Sequence, residues 1–348
     1  MALHITIVPH VPLSLGFGGL EIQQERTITA LQDRGLQVSR FDPWARTLQT
    51  DILHVFGSSH HQAEIVFRAA ARGIPVVITS MFVRTHSTRS YALGKMADQL
   101  GLRTLYSVRR KILQAATRII AISDAERDDL VEVFDVDEGK IDVIGNGVDD
   151  QFFTATADAF RDRYHQDDMV LCVASVEPNK NQLTLIDAVE RTGLPLVLIG
   201  PPKDTVVDDV TAYVDAVRKR VATSQQITWI DNGLDHDDPL LASAFAAARL
   251  HVLPSRAEAQ GIVNLEAAAA GASLVMSDLD TLRSTFGDDA WYADPASPQQ
   301  LAEAIKSAWA VPRGERYRHY PDHKPSWLHS WRDVTLLLES TYGRAVRK

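Results

Sequence analysis

Short apolar runs rich in Val and Ile recur along nearly the whole chain, separated by stretches whose apolar residues repeat at helical spacing. In the first half the runs are 5–9, 36–41, 51–57 (DILHVFG), 74–80 (IPVVITS), 118–123 and 141–147 (IDVIGNG). Helices are predicted between most of them, over 20–34, 60–72, 90–117 and 124–133. Several runs are apolar at almost every position, as a parallel strand covered on both faces requires. A polar, irregular stretch after about residue 148 reads as a linker. The alternation then restarts, with strands predicted at 169–175, 194–200, 227–231, 250–255, 273–278 and 290–294. Strand–helix alternation gives parallel sheets with right-handed crossovers, and a restart means two doubly wound, Rossmann-like α/β domains, 1–150 and 151–325. Residues 326–348 form a terminal helix capped by Ser330, with Trp331, Val334, Leu338 and Tyr342 on the face that docks.

Composition narrows the function classes. The 348 residues carry a formal net charge of −9, which argues against a nucleic-acid binder. A single cysteine, Cys172, excludes a disulfide framework and suits a reducing compartment. No basic, then apolar, leader opens the sequence, and no run approaches the ~18 apolar residues of a membrane span. A cytoplasmic protein is expected, peripheral to a membrane at most. Residues 84–118 hold eight Lys or Arg against one acid, Asp98, so this segment is either a solvated helix face or a contact for an anionic membrane or acceptor.

The stretch EAQGIVNLEAAAAG (258–271) carries the most chemistry. It follows the predicted strand 250–255, so Glu258 lies in a loop at a strand's carboxyl end, where open α/β sheets bind ligands. The helix begins near Gly261, and the free amides of Gly261, Ile262 and Val263 suit a phosphate that approaches a residue without Cβ. Glu258 is placed to accept from hydroxyls beside that phosphate. Glu266, about 8 Å further along the helix axis, is placed to accept from a second pair. Two hydroxyl-reading carboxylates around an anion site describe a sugar nucleotide; the plainer reading is a solvated surface helix.

These residues carry a family resemblance. PSRAEAQGIVNLEAAAAG resembles the E-x7-E segment of retaining family-4 glycosyltransferases with the GT-B fold, two Rossmann-like domains facing a cleft. GFGGLE (16–21), DILHVFG, AISDAERDDL, IGNGVD, VEPNKNQLTLIDA and the closing Ser330-Trp331…Tyr342 resemble the family's other motifs, so the likeness spans nearly the whole chain. It implies transfer of a sugar from a UDP-, GDP- or ADP-sugar to a glycan, lipid-linked or small-molecule acceptor, with no metal or other cofactor. The second domain would hold the donor and the first most of the acceptor, with the terminal helix crossing back to the first domain. Glu266 would bind the ribose, Glu258 the transferred sugar and Lys180 the diphosphate, with Gly18 and Gly19 closing over the phosphates. Gly200, Asp231, Asn232 and Gln260 would line the donor pocket. Arg84, His86, Asn146 and Arg256 are candidate acceptor or phosphate contacts.

Three positions depart from the family pattern. Ser175 stands where the family has a phosphate-binding arginine and replaces a bidentate cation by one neutral donor. Met81 stands in place of a histidine, and Gln260 in place of an aromatic residue. An epimerase of the same fold and a catalytically weak donor-binding subunit are the alternatives. No G-x-G-x-x-G or Walker motif is present, so a dinucleotide oxidoreductase and a P-loop ATPase are disfavoured. His60–His61 is expected at a helix start, LDHDDP (234–239) as a helix cap, and the D-x-D triplets 135–137 and 278–280 as chance occurrences rather than metal sites.

Overall fold

The computed structural model describes residues 3–13, 18–203, 207–312 and 324–347. The chain forms two compact units, Met1–Gly147 with His329–Lys348, and Val148–Leu328. Along the first unit come β1 (His4–Val8), α1 (Gly19–Asp33), β2 (Gln37–Arg40), β3 (Ile52–Phe56), α2 (Ala63–Ala71), β4 (Val76–Thr79), α3 (Thr88–Gln99), α4 (Leu105–Ala115), β5 (Arg118–Ala121), α5 (Asp124–Phe134), β6 (Ile141–Val143) and β7 (Gly147–Val148). The second unit runs α6 (Asp150–Phe153), α7 (Asp158–Tyr164), β8 (Met169–Val173), α8 (Gln182–Glu190), β9 (Leu196–Ile199), α9 (Asp208–Thr223), β10 (Ile227–Ile230), α10 (Pro239–Ala247), β11 (Ala248–Leu253), α11 (Ile262–Ala269), β12 (Ser273–Ser277), α12 (Asp280–Phe286), β13 (Trp291–Ala293) and α13 (Pro298–Trp309). Then follow β14 (His329–Ser330) and α14 (Trp331–Val346).

Each unit holds one six-stranded sheet, ordered β2-β1-β3-β4-β5-β6 and β10-β9-β8-β11-β12-β13, parallel at every pairing. Alternate residues of each strand enter separate apolar clusters. In β8, Met169 and Leu171 join one cluster, and Val170 and Cys172 the other. In β3, Leu53 and Val55 oppose Ile52 and Phe56 in the same way. Both faces are therefore covered, which accounts for the near-continuous apolar runs in the sequence. In each sheet the winding reverses once, between β1 and β3 and between β8 and β11, and a crevice opens beyond the carboxyl ends there.

The structure differs from the sequence expectation in two places. The helix expected over 90–117 is two helices: Gly101 takes φ +78° after α3, and Thr104 starts α4 with a capping box closed by Ser107. Within this region Ile112 is buried, Leu105 is exposed and Ile119 belongs to β5. The expected linker after 148 instead forms α6 and α7, whose Phe152 and Phe160 lie fully inside the second unit's core. In the first unit, Tyr342 of α14 is buried, and its hydroxyl bonds His54 Nδ1 at 2.8 Å. Among the described residues no helix is long and apolar enough to cross a membrane.

Candidate donor site at the second unit's strand reversal

The loops leaving β8 and β11 are laced together by two asparagines. Asn179 donates from Nδ2 to the Ala257 carbonyl at 3.0 Å and accepts the Ala257 N–H on Oδ1 at 3.1 Å, while its own carbonyl accepts from the Arg256 N–H at 2.8 Å. Asn181, held at φ +61°, donates to the Pro254 and Pro295 carbonyls at 3.1 and 2.7 Å. Lys180 stands between these two anchors, so its position is set by backbone bonds of the neighbouring loop. Its Nζ lies 2.7 Å from Glu258 Oε2, the same oxygen that accepts from Ser255 Oγ at 3.2 Å. Oε1 of Glu258 takes no part in either bond. Burial disfavours the Lys180 ammonium, but the Glu258 carboxylate beside it, with Glu177, holds its pKa above the ordinary lysine value. This lysine stays charged.

Gly261 opens α11 at φ +71°, and a Cβ there would lie 2.7 Å from Asn264 Nδ2. Backbone conformation and space both require glycine. The first amides of this helix have no partner one turn back, which makes them a ready anion site. Behind them His251, fully buried on β11, accepts from the Val173 N–H at 3.4 Å and bonds Asn264 Oδ1 at 3.1 Å, tying the helix start to the end of β8. Burial pushes this imidazole down to about 3, so it is neutral. Further along, Glu266 is only 1% exposed. Its Oε1 lies 2.6 Å from His236 Nε2, and its Oε2 has no hydrogen-bond partner among the described residues. A buried carboxylate oxygen without a partner is costly unless a ligand donor completes it.

The other expected donor residues fall around this centre. Ser175 Oγ bonds Glu177 Oε1 at 3.2 Å, and Arg256 is exposed, its side chain reaching Asn181 Oδ1 at 3.5 Å. Gly200, at φ +149°, ends β9 so close to the β8 loop that a Cβ would lie 2.0 Å from the Ala174 carbonyl oxygen. Asp231 and Asn232 are exposed beyond β10, Ile262 and Val263 are half-buried, and Gln260 is buried. His236 was not foreseen as a site residue. Its segment signalled only the helix cap that Asp238 supplies by accepting from the Leu240 N–H at 2.8 Å.

In the first unit Gly18 caps α1, its carbonyl accepting from the Ile22 N–H at 2.9 Å, and Gly19 begins the helix; Gly16 and Phe17 of the same motif lie outside the described residues. Arg84 is held by Asp129 at 2.6 Å and Glu132 at 2.8 Å. His86 is exposed beside Tyr91, and Asn146 is buried. Within the basic segment Lys95, Arg110 and Arg118 also face carboxylates, while Leu93, Met96, Leu100, Leu102 and Leu105 lie exposed. Met81 takes φ +53°, and the next residue's amide, Phe82 N–H, donates to Glu126 Oε1 at 2.6 Å. Glu126 is fully buried, and burial pushes its pKa up to about 7 against the bonds from the Ile122 and Phe82 amides.

Two doubly wound units, each a parallel sheet with one strand reversal, define the GT-B class. Residues 30–152 match the model for Glycosyltransferase Family 4 and residues 167–310 that for Glycosyl transferases group 1. The chain belongs to these family-4-type glycosyltransferases. It is 26% identical to a D-inositol 3-phosphate glycosyltransferase of Mycobacteroides abscessus, over 79% of this chain and 61% of the relative. It is 29% identical to an alpha-maltose-1-phosphate synthase of Mycobacterium tuberculosis, over 64% of this chain and 62% of the relative. The chain thus spans about three fifths of the length of these curated relatives. Among solved structures, sucrose-phosphate synthase from Thermosynechococcus elongatus superposes with a TM-score of 0.76 at 19% identity, covering 98% of each chain. Anabaena HepE in complex with UDP-glucose superposes with a TM-score of 0.72 at 15% identity, covering 98% of this chain and 99% of that one.

Proposed function

We propose that the chain transfers a sugar from a nucleotide-sugar donor to an acceptor hydroxyl, with retention at the anomeric carbon and without a metal. The observation that carries this reading is the arrangement at the second reversal, where a charged lysine, a paired glutamate and a free helix start meet beyond β8 and β11. The helix-start amides of Gly261, Ile262 and Val263, with Lys180, hold the donor diphosphate and stabilise the charge that grows on it as the bond to C1 breaks. Glu258 Oε1 accepts from hydroxyls of the transferred sugar, and Glu266 Oε2 from the ribose. The acceptor oxygen forms the new bond to C1 on the face the diphosphate leaves, and its proton passes to the departing phosphate oxygen. No protein nucleophile is needed. UDP as the nucleotide is favoured by HepE, a neighbour in fold whose structures hold UDP and UDP-glucose.

The test is a panel of UDP-, GDP- and ADP-sugars, with and without glycan, lipid-linked and small-molecule acceptors, in buffer containing a chelator. Release of nucleoside diphosphate with formation of a same-anomer product is expected. Conversion of one sugar nucleotide into another would instead identify an epimerase, and tight binding without either reaction a donor-binding subunit. The exposed leucines between 93 and 105 are the surface that would meet a lipid-linked acceptor.

A further inference from the structure

The crossover from β2 to β3 passes over β1 without forming a helix. Its ends are pinned to the sheet: the Phe41 N–H donates to the Ile7 carbonyl at 2.8 Å, and the Asp51 N–H to the His4 carbonyl at 2.9 Å. Phe41 and Leu48 pack on the apolar cluster that α2 and α4 cover. Between this crossover, the face of the sheet and α2, a cavity of about 340 Å³ remains. Protein interiors are close-packed with few voids larger than a water, whereas small-molecule sites begin at about 300 Å³. The cavity lies within the first unit, away from its strand reversal. Its sheet residues Thr6 and Leu53 sit inside β1 and β3, not in the loops that leave them.

The floor is a single row across the sheet, Leu53, Thr6 and Ser39, in register on β3, β1 and β2. Under α2 and α4 the same face is apolar, at Val55, Val76 and Ile78, but beneath the crossover it turns to hydroxyls. Thr6 is buried with its Oγ1 3.1 Å from Ser39 Oγ, which lies 2.9 Å from His4 Nε2. A hydroxyl has one donor and two acceptor positions, so this one contact does not exhaust Thr6. Phe41, Leu48, Ile65 and Ala69 make apolar walls. The mouth is basic: Arg40, Arg46, Arg68 and Arg72 line it against Asp42 and Glu64, in a chain whose net charge is −9. Arg40 faces Glu25, and Arg68 bonds Glu64 at 2.6 Å. Arg46 and Arg72 are exposed and make no ion pair among the described residues. Apolar walls below a basic mouth focus its field on an incoming anion.

We propose that this cavity is a binding site for a small hydroxylated aromatic acid, with its ring between the apolar walls, its carboxylate at Arg46 and Arg72, and its hydroxyl on the Thr6–Ser39 floor. The site is independent of the glycosyltransferase reading. A bare anion would leave the walls uncovered, and a wholly apolar ligand would leave the floor hydroxyls facing carbon. Phe41 and the planar guanidinium groups both favour a flat ring over a flexible chain.

The test titrates the full chain with 4-hydroxybenzoate, benzoate, phenol and acetate, following backbone amide shifts by NMR. Saturable shifts within 39–49 and 64–74 are expected with 4-hydroxybenzoate, at a Kd of ~1 mM or tighter. Benzoate and phenol each lack one polar end and should bind ~3–10-fold more weakly, and acetate should not saturate. Arg46→Gln and Arg72→Gln should each weaken 4-hydroxybenzoate ~3-fold, and together ~10-fold, without affecting phenol. Arg89→Gln, exposed on α3 outside the cavity, should change nothing. Thr6→Val should reduce 4-hydroxybenzoate to the affinity of benzoate and leave benzoate unchanged. Thermal melting monitors folding, and the exposed arginine pair carries the test should Thr6→Val unfold. The proposal is overturned if 4-hydroxybenzoate shifts none of these amides, if the arginine pair alters its Kd no more than Arg89→Gln does, or if a folded Thr6→Val weakens both acids equally.

Discussion

β3 of the first unit and β11 of the second border the two strand reversals, and each buries a Leu-His-Val segment, Leu53-His54-Val55 and Leu250-His251-Val252. Both imidazoles are fully enclosed, and burial pushes both down to about 3. Their partners diverge. His54 bonds Thr79 of β4 and Tyr342 of α14 at 2.8 Å, so it serves the interior of its unit. His251 bonds Val173 and Asn264, so it braces the helix start that Gly261 opens. The rims differ in the same direction. In the second unit the cation and carboxylate are already paired, as Lys180 with Glu258, and His236 sits against Glu266. In the first unit Arg109 forms no ion pair among the described residues and donates to the Ser58 carbonyl instead. One scaffold thus supports a rim whose charges are paired and another whose guanidinium rests on a carbonyl and an aromatic ring.

The largest effect expected from breaking this contrast is at Lys180. Lys180→Met removes the charge at the leaving diphosphate and leaves Glu258 with Ser255 alone, so transfer should fall by ~10²–10³-fold. Steady-state kinetics with the preferred donor measures this, and a loss under fivefold would place the leaving-group cation elsewhere. Next in size, Glu266→Ala should weaken nucleotide binding by as much as ~3 kcal/mol, because a buried hydroxyl pair loses its acceptor. Calorimetry showing unchanged affinity would refute the ribose assignment.

How much of this was legible from sequence follows from range. Parallel strands covered on both faces read as apolar runs, so both sheets could be placed from a local pattern. Glu258, Gly261 and Glu266 fall within nine consecutive residues at the end of one strand, so their spacing alone located the helix start and its two carboxylates. The break at Gly101 was missed because apolar spacing continues across it, and only the left-handed turn with the Thr104 cap ends the helix. Phe152 and Phe160 were missed because their polar neighbours concealed two residues that anchor the core. His236 meets Glu266 across thirty residues, and the isolation of Arg109 depends on where Asp98 and Asp135 went. Both are statements about tertiary charge pairing, which no local pattern encodes.

The smallest expected effect concerns acid stability and separates the twin histidines. A histidine with its folded pKa lowered contributes stability that is present above its unfolded value and lost as pH falls through the window from 6.5 to about 3. At pH 5 each of His54 and His251 should therefore cost ~2 kcal/mol relative to pH 7. Glu126 works in the opposite sense. Its folded pKa of about 7 lies above the ordinary value of 4.5, so the native state takes up a proton first, and stability rises by ~2 kcal/mol as pH falls from 7 to 5. His54 and Glu126 share the first unit and offset each other there. Glu126→Gln should make the first unit more acid-sensitive by that amount relative to wild type. His251→Asn should make the second unit less so, whatever its cost at neutral pH. Amide exchange resolved by unit at pH 7 and pH 5 distinguishes them. Equal acid responses from both units in wild type, unaltered by either substitution, would show that the two buried strands are not balanced differently after all.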